Sequence, residues 1–227
     1  MATKIKKREL TKQKIFKTAL GLFREQGFTQ TTMRDIAREA GLSLGAAYHY
    51  FPSKDALVME YYQWIQNEHE NRLSQTHDRD PQPGLQGRVA RLLHTKLELL
   101  KDDHRLLTAL FRNMADPAAS LSVFSAETGE IRARSIAQFD ELFSDCRLDD
   151  DVKTLLGRAA WCAHLCLFLF FIHDRSDKQA RTLRLADEIA VLTASVVAWL
   201  SFPLARPICT RLVKLAKDLG FIGERET

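Results

Sequence analysis

Residues 31–54 read TTMRDIAREAGLSLGAAYHYFPSK, and the spacing within this stretch predicts two short helices joined by a glycine turn. Thr32 is followed three places on by Asp35, a capping-box pair whose hydroxyl and carboxylate satisfy the free amides at a helix start. Met33, Ile36, Ala37 and Ala40 share one apolar face. Gly41 stands where the chain must leave that helix with a positive φ, and Leu42 plugs the angle between the two helices. Ser43 caps the second helix, in which Gly45 and Ala46 keep the leading face thin while Tyr48, His49 and Tyr50 offer rings with polar tips. Phe51 packs inward and Pro52 stops the helix. Ser53 and Asp55 open the next one, leaving Lys54 at its N-terminus, where amide dipole and ammonium both attract phosphate. Such a pair sets its second helix in the major groove of DNA.

The order TT-x-RDIA-x-x-AG-x-S-x-GA-x-Y-x-YF-x-SK-x-AL resembles the DNA-binding domain of the TetR family of bacterial transcriptional regulators over residues 8–60. The resemblance implies an all-α fold, with a three-helix helix-turn-helix domain over residues 1–54 and a helical effector-binding and dimerisation domain over residues 55–227. It implies a homodimer through the helices near 152–173 and 178–200, bound to double-stranded DNA at a palindromic operator. Matching the family's DNA-contacting positions are Thr32, Arg34, Ser43, Leu44, Gly45, Ala46, Tyr48, His49, Tyr50 and Lys54.

Their roles differ by chemistry. Arg34 either forks onto a guanine edge or bonds a phosphate and carries no sequence information. Tyr48 and Tyr50 suit phosphate contact or packing better than base reading, and His49 suits either. Leu44, Gly45 and Ala46 have no polar side-chain atoms, so direct reading there is apolar contact, for instance with a thymine methyl.

Charge distribution agrees with this reading. The 227 residues carry a net charge of only +4, but residues 1–54 hold 11 Lys and Arg against 4 Asp and Glu, and residues 55–227 hold 22 against 25. Basic charge is thus confined to the end that carries the helix-turn-helix. The apolar content of 45% is that of a globular protein able to bury one or two cores. Cys146, Cys162, Cys166 and Cys209 form no CxxC pair, and buried free thiols in a reducing cytoplasm are the simpler expectation. The N-terminus MATKIKKREL lacks the apolar core of a signal peptide. The most apolar run, 159–172, falls short of the ~20 residues that cross a bilayer, so a buried helix and no membrane contact are expected.

Along the chain, Lys4, Lys6, Lys7 and Arg8 precede any clear apolar period and form either an arm on phosphates or a minor groove, or a frayed terminus. The first helix then runs from Leu10 to Gly27. A long helix over 56–73 is followed by a loop over 74–88 containing Pro81 and Pro83. Helices over 89–101 and from Asp102 and Asp103 to Pro117 come next, with the two aspartates favouring the second helix start. An amphipathic helix covers 121–143. The helix over 152–173 is apolar nearly all round in its second half and must be covered on most sides. That over 178–200 carries two apolar rows, one for the core and one for a partner helix. The last helix places Ile208, Leu212, Leu215, Ala216 and Leu219 on a face that docks on the dimer, and Arg211, Lys214 and Lys217 on a basic face that is solvated, with a second nucleic-acid contact as the outside reading.

Tyr61, Trp64, Phe111, Trp161, His164 and Phe168 combine apolar surface with a few polar tips, as the wall of an effector cavity would. The leading expectation is a dimeric repressor released by a small-molecule effector. The alternative is a DNA-binding regulator whose C-terminal domain only dimerises or binds a protein partner. An enzyme is disfavoured: the sequence has no Gly-rich phosphate loop, HExxH, GxSxG or metal-ligand spacing, so no catalytic residue, metal or cofactor is expected.

Overall fold

In a computed structural model the described residues are 2–77, 84–114 and 119–222. They form ten α-helices, with no strand among them. Pro81 and Pro83 of the expected loop, and Pro117 at the expected helix stop, lie outside the described residues. The chain divides into two compact units, Met1–Glu68 with Leu99–Ile131, and His69–Glu98 with Arg132–Thr227.

The first unit holds α1 (Ala2–Glu25), α2 (Met33–Glu39), α3 (Leu44–Tyr50), the first part of α4 (Lys54–His77) and α6 (His104–Met114). Helix α1 starts well before Leu10. Lys, Arg and Glu lose little rotamer freedom in a helix and no Gly or Pro interrupts them, so residues 4–9 are helical rather than an irregular arm. Its apolar residues Ile15, Ala19 and Phe23 are buried with Ile36, Ala40, Ala47, Phe51 and Leu57. Small residues at Ala37, Ala40 and Ala47 let α2 and α3 approach closely.

Helix α6 starts directly after Asp103, as expected, but the Asp103 side chain is engaged elsewhere. Its fully buried carboxylate accepts from Arg24 Nε at 2.6 Å and from the Tyr61 hydroxyl at 2.8 Å, tying α1 and α4 to the start of α6. Arg105 adds a bond to the Glu25 carbonyl at 2.5 Å. The expected helix over 121–143 is shorter, since residues 121–128 form turns and α7 spans Gly129–Glu141. Thr128 Oγ1 donates to the Ser122 carbonyl at 2.7 Å and Ser125 Oγ to that of Ser120 at 2.8 Å. Hydroxyls offering the backbone such partners compete with a helix.

The second unit is built from the end of α4, most of α5 (Leu85–Leu100), most of α7, α8 (Asp150–His173), α9 (Ala180–Leu200) and α10 (Arg206–Asp218). The loop expected over 74–88 is therefore narrower, with α4 reaching His77 and α5 starting at Leu85. Between α8 and α9 the Asp174 carboxylate accepts from the Thr182 amide at 2.9 Å and its hydroxyl at 2.7 Å. Lys178 and Gln179 there take positive φ, and α9 begins after them. Helix α7 packs so closely on α8 that a Cβ on Gly157 would collide with the Asp140 carboxylate.

Helix α8 is long and apolar enough by length and composition to cross a bilayer, with a mean hydropathy of 1.8 over its most apolar window. Only 33% of that window is buried. One face packs inward through Gly157, Trp161, His164, Leu167 and Phe171, while Cys162, Cys166, Leu169 and Phe170 are exposed in a row opposite. The thiols at Cys162 and Cys166 are accordingly free but exposed, not buried. On α9 the inward row is Thr182, Ala186, Ala190 and Val197, and Leu192, Val196 and Trp199 are exposed. Helix α10 lies on α8 through Ala216, with Lys217 paired to Asp151 at 2.7 Å, and leaves Ile208, Leu212, Leu215 and Leu219 exposed.

Candidate nucleic-acid interface

The turn between α2 and α3 is fixed by backbone chemistry. At Gly41, φ is +66°, and its amide donates to the Arg38 carbonyl while the Leu42 amide donates to that of Ala37. This 5→2 and 6→1 pair is a Schellman motif, which needs a left-handed residue where it falls. At the start of α2 the capping box is complete. The Asp35 amide donates to Thr32 Oγ1 at 3.2 Å, and the Thr32 amide donates to Asp35 Oδ2 at 3.1 Å. The Thr32 hydroxyl also donates to Asp35, and these bonds hold the exposed carboxyl below its ordinary pKa. Thr32 is therefore engaged locally through both its side-chain roles. Arg34, one turn position away, is exposed and has no ion pair among the described residues, whereas Arg38 is bound to Asp35 at 2.8 Å.

Ser43 caps α3, its hydroxyl accepting from the Ala46 amide at 3.1 Å. The face turned away from the core carries Leu44, Gly45, Tyr48 and His49, all exposed, with Ala46 and Tyr50 half-buried. The His49 and Tyr50 rings meet edge to face at 5.4 Å. Gly45 has helical backbone, and a Cβ there would meet nothing within 4 Å. The fold does not require a glycine at this position, so its missing side chain matters only to whatever approaches from outside.

Lys54 departs from a simple phosphate contact. Ser53 does cap the helix, donating no charge but accepting from the Ala56 amide at 3.1 Å. The Lys54 ammonium, however, donates to the Phe28 carbonyl at 2.8 Å and stands 4.5 Å from the Phe28 ring centroid. Burial lowers its pKa. It fastens the α1–α2 loop, and a phosphate contact from it must share the ammonium with that bond.

Residues 15–61 match the family model of bacterial regulatory proteins of the tetR family, and residues 88–215 match that of the tetracyclin repressor-like C-terminal domain. The chain belongs to the TetR family. It is 48% identical over 54 residues to the uncharacterized HTH-type transcriptional regulator YerO of Bacillus subtilis, covering 22% of this chain and 19% of that protein. It is 30% identical over 115 residues to the HTH-type transcriptional repressor KstR2 of Mycobacterium tuberculosis, covering 49% of this chain and 54% of KstR2. The chain thus spans less than two thirds of the curated relatives it matches. The fold is that of a TetR-family regulator from Streptomyces coelicolor, with a TM-score of 0.62 at 18% identity over 92% of this chain and 98% of that one. Thermus thermophilus FadR, solved with lauroyl-CoA, gives 0.55 at 19% identity over 82% and 93%.

Residues expected to wall an effector cavity fall into two groups within this TetR-family chain. Tyr61 and Trp64 belong to a packed aromatic set in the first unit, with centroids 6.2 Å apart and Phe16 6.4 Å from Trp64. The Tyr61 hydroxyl is committed to Asp103, and burial raises its pKa well above the ordinary value. Phe111 is half-buried on α6 in the same unit. Trp161, His164 and Phe168 lie in the second unit, where the His164 ring sits 4.3 Å from Phe168 and 5.0 Å from Phe139. Sequence reasoning missed the pairing of Arg24 with Asp103, and it set Lys96, which is buried on α5, in the core row of that helix without giving it a role. The repeating apolar pattern of α5 hid that lysine among its core positions.

Proposed function

We propose that this chain is a homodimeric repressor that holds a palindromic operator through α2 and α3 and leaves it when a small molecule binds in its helical C-terminal part. The observation that carries the reading is the exposed apolar surface of α8 and α9. Leu169, Phe170, Leu192, Val196 and Trp199 are between 41% and 61% exposed, and an apolar surface of this kind marks an association site. A two-fold pairing of these helices makes a four-helix bundle, and a dimer brings two copies of α3 to the two half-sites of one operator. Arg34 then contacts a base edge or phosphate, Tyr48, His49 and Tyr50 reach the backbone or bases, and Thr32, Ser43 and Lys54 bring helix N-termini to phosphates. Leu44, Gly45 and Ala46 form the thin face.

KstR2 is named a repressor. FadR structures hold lauroyl-CoA and stearoyl-CoA, and NalD is the secondary repressor of a multidrug efflux pump. These support repression and effector release here, with residues 1–54 as the DNA-binding part, 55–227 as the sensing and dimerising part, and Trp161, His164 and Phe168 at the effector. The setting is cytoplasmic.

The test is sedimentation of the purified chain and of Phe170→Glu, together with titration of a selected operator. The parent should sediment as a dimer, and Phe170→Glu as a monomer with at least roughly tenfold weaker operator affinity, since one half-site supplies only part of the binding free energy. A parent monomer that binds the operator with full affinity contradicts the proposal. Operator complexes that survive every metabolite fraction contradict its effector half.

A further inference from the structure

Helix α10 carries an apolar face wider than the part its own chain covers. On the side that meets α8, Cys209 and Val213 are half-buried and Ala216 is buried. Ile208, Leu212 and Leu215 each precede one of these residues, which sets them about 100° round the helix. Together with Leu219 they make a second row, 46% to 62% exposed. Its members fall at intervals of four, three and four residues, the period of a seam between two helices lying alongside each other.

The flanks of this row say which helix fits it. Arg211 and Asp218 stand seven residues, or about two turns, apart on the flank away from α8. Both are exposed, and neither has an ion pair among the described residues, whereas Lys217, on the far side of the helix from the row, is bound to Asp151 of α8 at 2.7 Å. When two copies of the row lie antiparallel about a two-fold axis between Leu212 and Leu215, Leu212 of each meets Leu215 of the other, and Ile208 meets Leu219. The same register sets Arg211 of each copy opposite Asp218 of the other, so opposite charges meet twice. A parallel pairing sets Arg211 beside Ala216 and makes no ion pair. An anionic lipid surface is a poorer match, since Asp218 stands on the flank that such a surface would cover.

The bare row also adjoins the exposed row of α8. Asp151, held by Lys217, lies eleven residues, or about three turns, before Cys162, and so on the same side of α8 as Cys162, Cys166 and Phe170.

We propose that α10 is a self-association helix, whose bare row packs antiparallel on the same row of a second copy, with Arg211 of each paired to Asp218 of the other. This rests on the homodimer reading above and adds a second seam to it.

The experiment is sedimentation of the full chain over a concentration series, for the parent, Leu215→Glu, Arg211→Asp, Asp218→Arg and the double variant Arg211→Asp/Asp218→Arg. All three positions are exposed, so melting curves should stay near that of the parent. Leu215→Glu should weaken association at least about tenfold, because it sets a carboxylate against Leu212 of the other copy. Each single reversal puts like charges opposite each other twice and should weaken association roughly fivefold, and the double variant should return to within about twofold of the parent. Leu215→Glu associating as the parent does, or a double variant no tighter than the singles, overturns the proposal. So does binding of the parent to phosphatidylserine vesicles that Leu215→Glu abolishes while association is unchanged, since the face then belongs to a membrane. Phe170→Glu separates the two seams. Association lost in that variant and kept in Leu215→Glu would leave the α8 and α9 pairing standing and overturn the α10 seam, whereas the reverse would uphold the α10 seam and sink the α8 and α9 pairing.

Discussion

At the scale of single residues, Gly45 gives the sharpest separation of fold from function. Its backbone is helical and its surroundings are open, so an alanine there should stabilise α3 by about 0.5–1 kcal/mol through helix propensity. The same methyl stands on the surface offered to DNA, and Gly45→Ala should weaken operator binding while raising the melting temperature. Loss of stability, or unchanged affinity, would show that the glycine serves something else. Gly41 makes the contrast, since its φ of +66° means that Gly41→Ala should destabilise the turn by about 1 kcal/mol or more. Arg34→Ala and Tyr48→Ala, both exposed, should cut operator affinity with little change in melting. The capping box at Thr32, the glycine at 41 and the Ser43 cap were legible in the sequence because each is a local rule, satisfied by residues within four places. Lys54 was legible as a helix start, but its bond to Phe28 crosses 26 positions and leaves no local signature.

At the scale of elements, what the sequence concealed lies in contacts between helices. Asp103 reads as a dipole-complementing residue before α6, and only the approach of α1 and α4 turns it into a buried acceptor for Arg24 and Tyr61. Removing Asp103 leaves the buried Tyr61 hydroxyl without its acceptor, while Arg24, with 38% of its side chain exposed, can turn to water, so Asp103→Ala should destabilise the chain by about 1–3 kcal/mol in denaturant titration. A loss below about 1 kcal/mol would show that water readily replaces the carboxylate. The hydroxyl network at residues 122–128 likewise overrode an apolar pattern that reads as helix. Helix α8 was legible as unusually apolar, and the expectation that it is covered on most sides is met within one chain only on its inner face. Its contact with α7 was invisible, because Gly157 reads as a weak point in a helix and is in fact the space that admits Asp140. Gly157→Ala should overpack this contact and cost roughly 1–3 kcal/mol.

At the scale of the whole molecule, stability and pH are linked through the buried bases of the second unit. Burial first, with Lys96 nearby, brings the His69 pKa down from 6.5 to about 4, and burial holds His164 well below its ordinary value. Lys96, near Arg134, His69, His164 and Glu70, is brought by burial from 10.5 to about 7. In each case the unfolded chain binds the proton more readily than the folded one, so stability rises with pH across the window between the two values. For His69, stability falls as the pH is lowered from 6.5 toward 4, and His164 acts in the same direction. For Lys96 the full penalty is present below about 7 and fades toward 10.5. Lys96→Met should therefore melt above the parent at about pH 6, with the difference shrinking as the pH approaches 10. An equal difference at both ends would place the lysine in solvent. Above these effects stands the claim that two copies of α3, held by one dimer, read a two-fold symmetric site. Selection of bound sequences from a random duplex library tests it most directly. The account predicts an enriched palindrome whose half-sites are centred about 34–36 Å apart or a multiple of that, with a salt dependence near −0.9 per neutralised phosphate; an enriched single half-site without its mirror, or no enriched sequence at low salt, would contradict it.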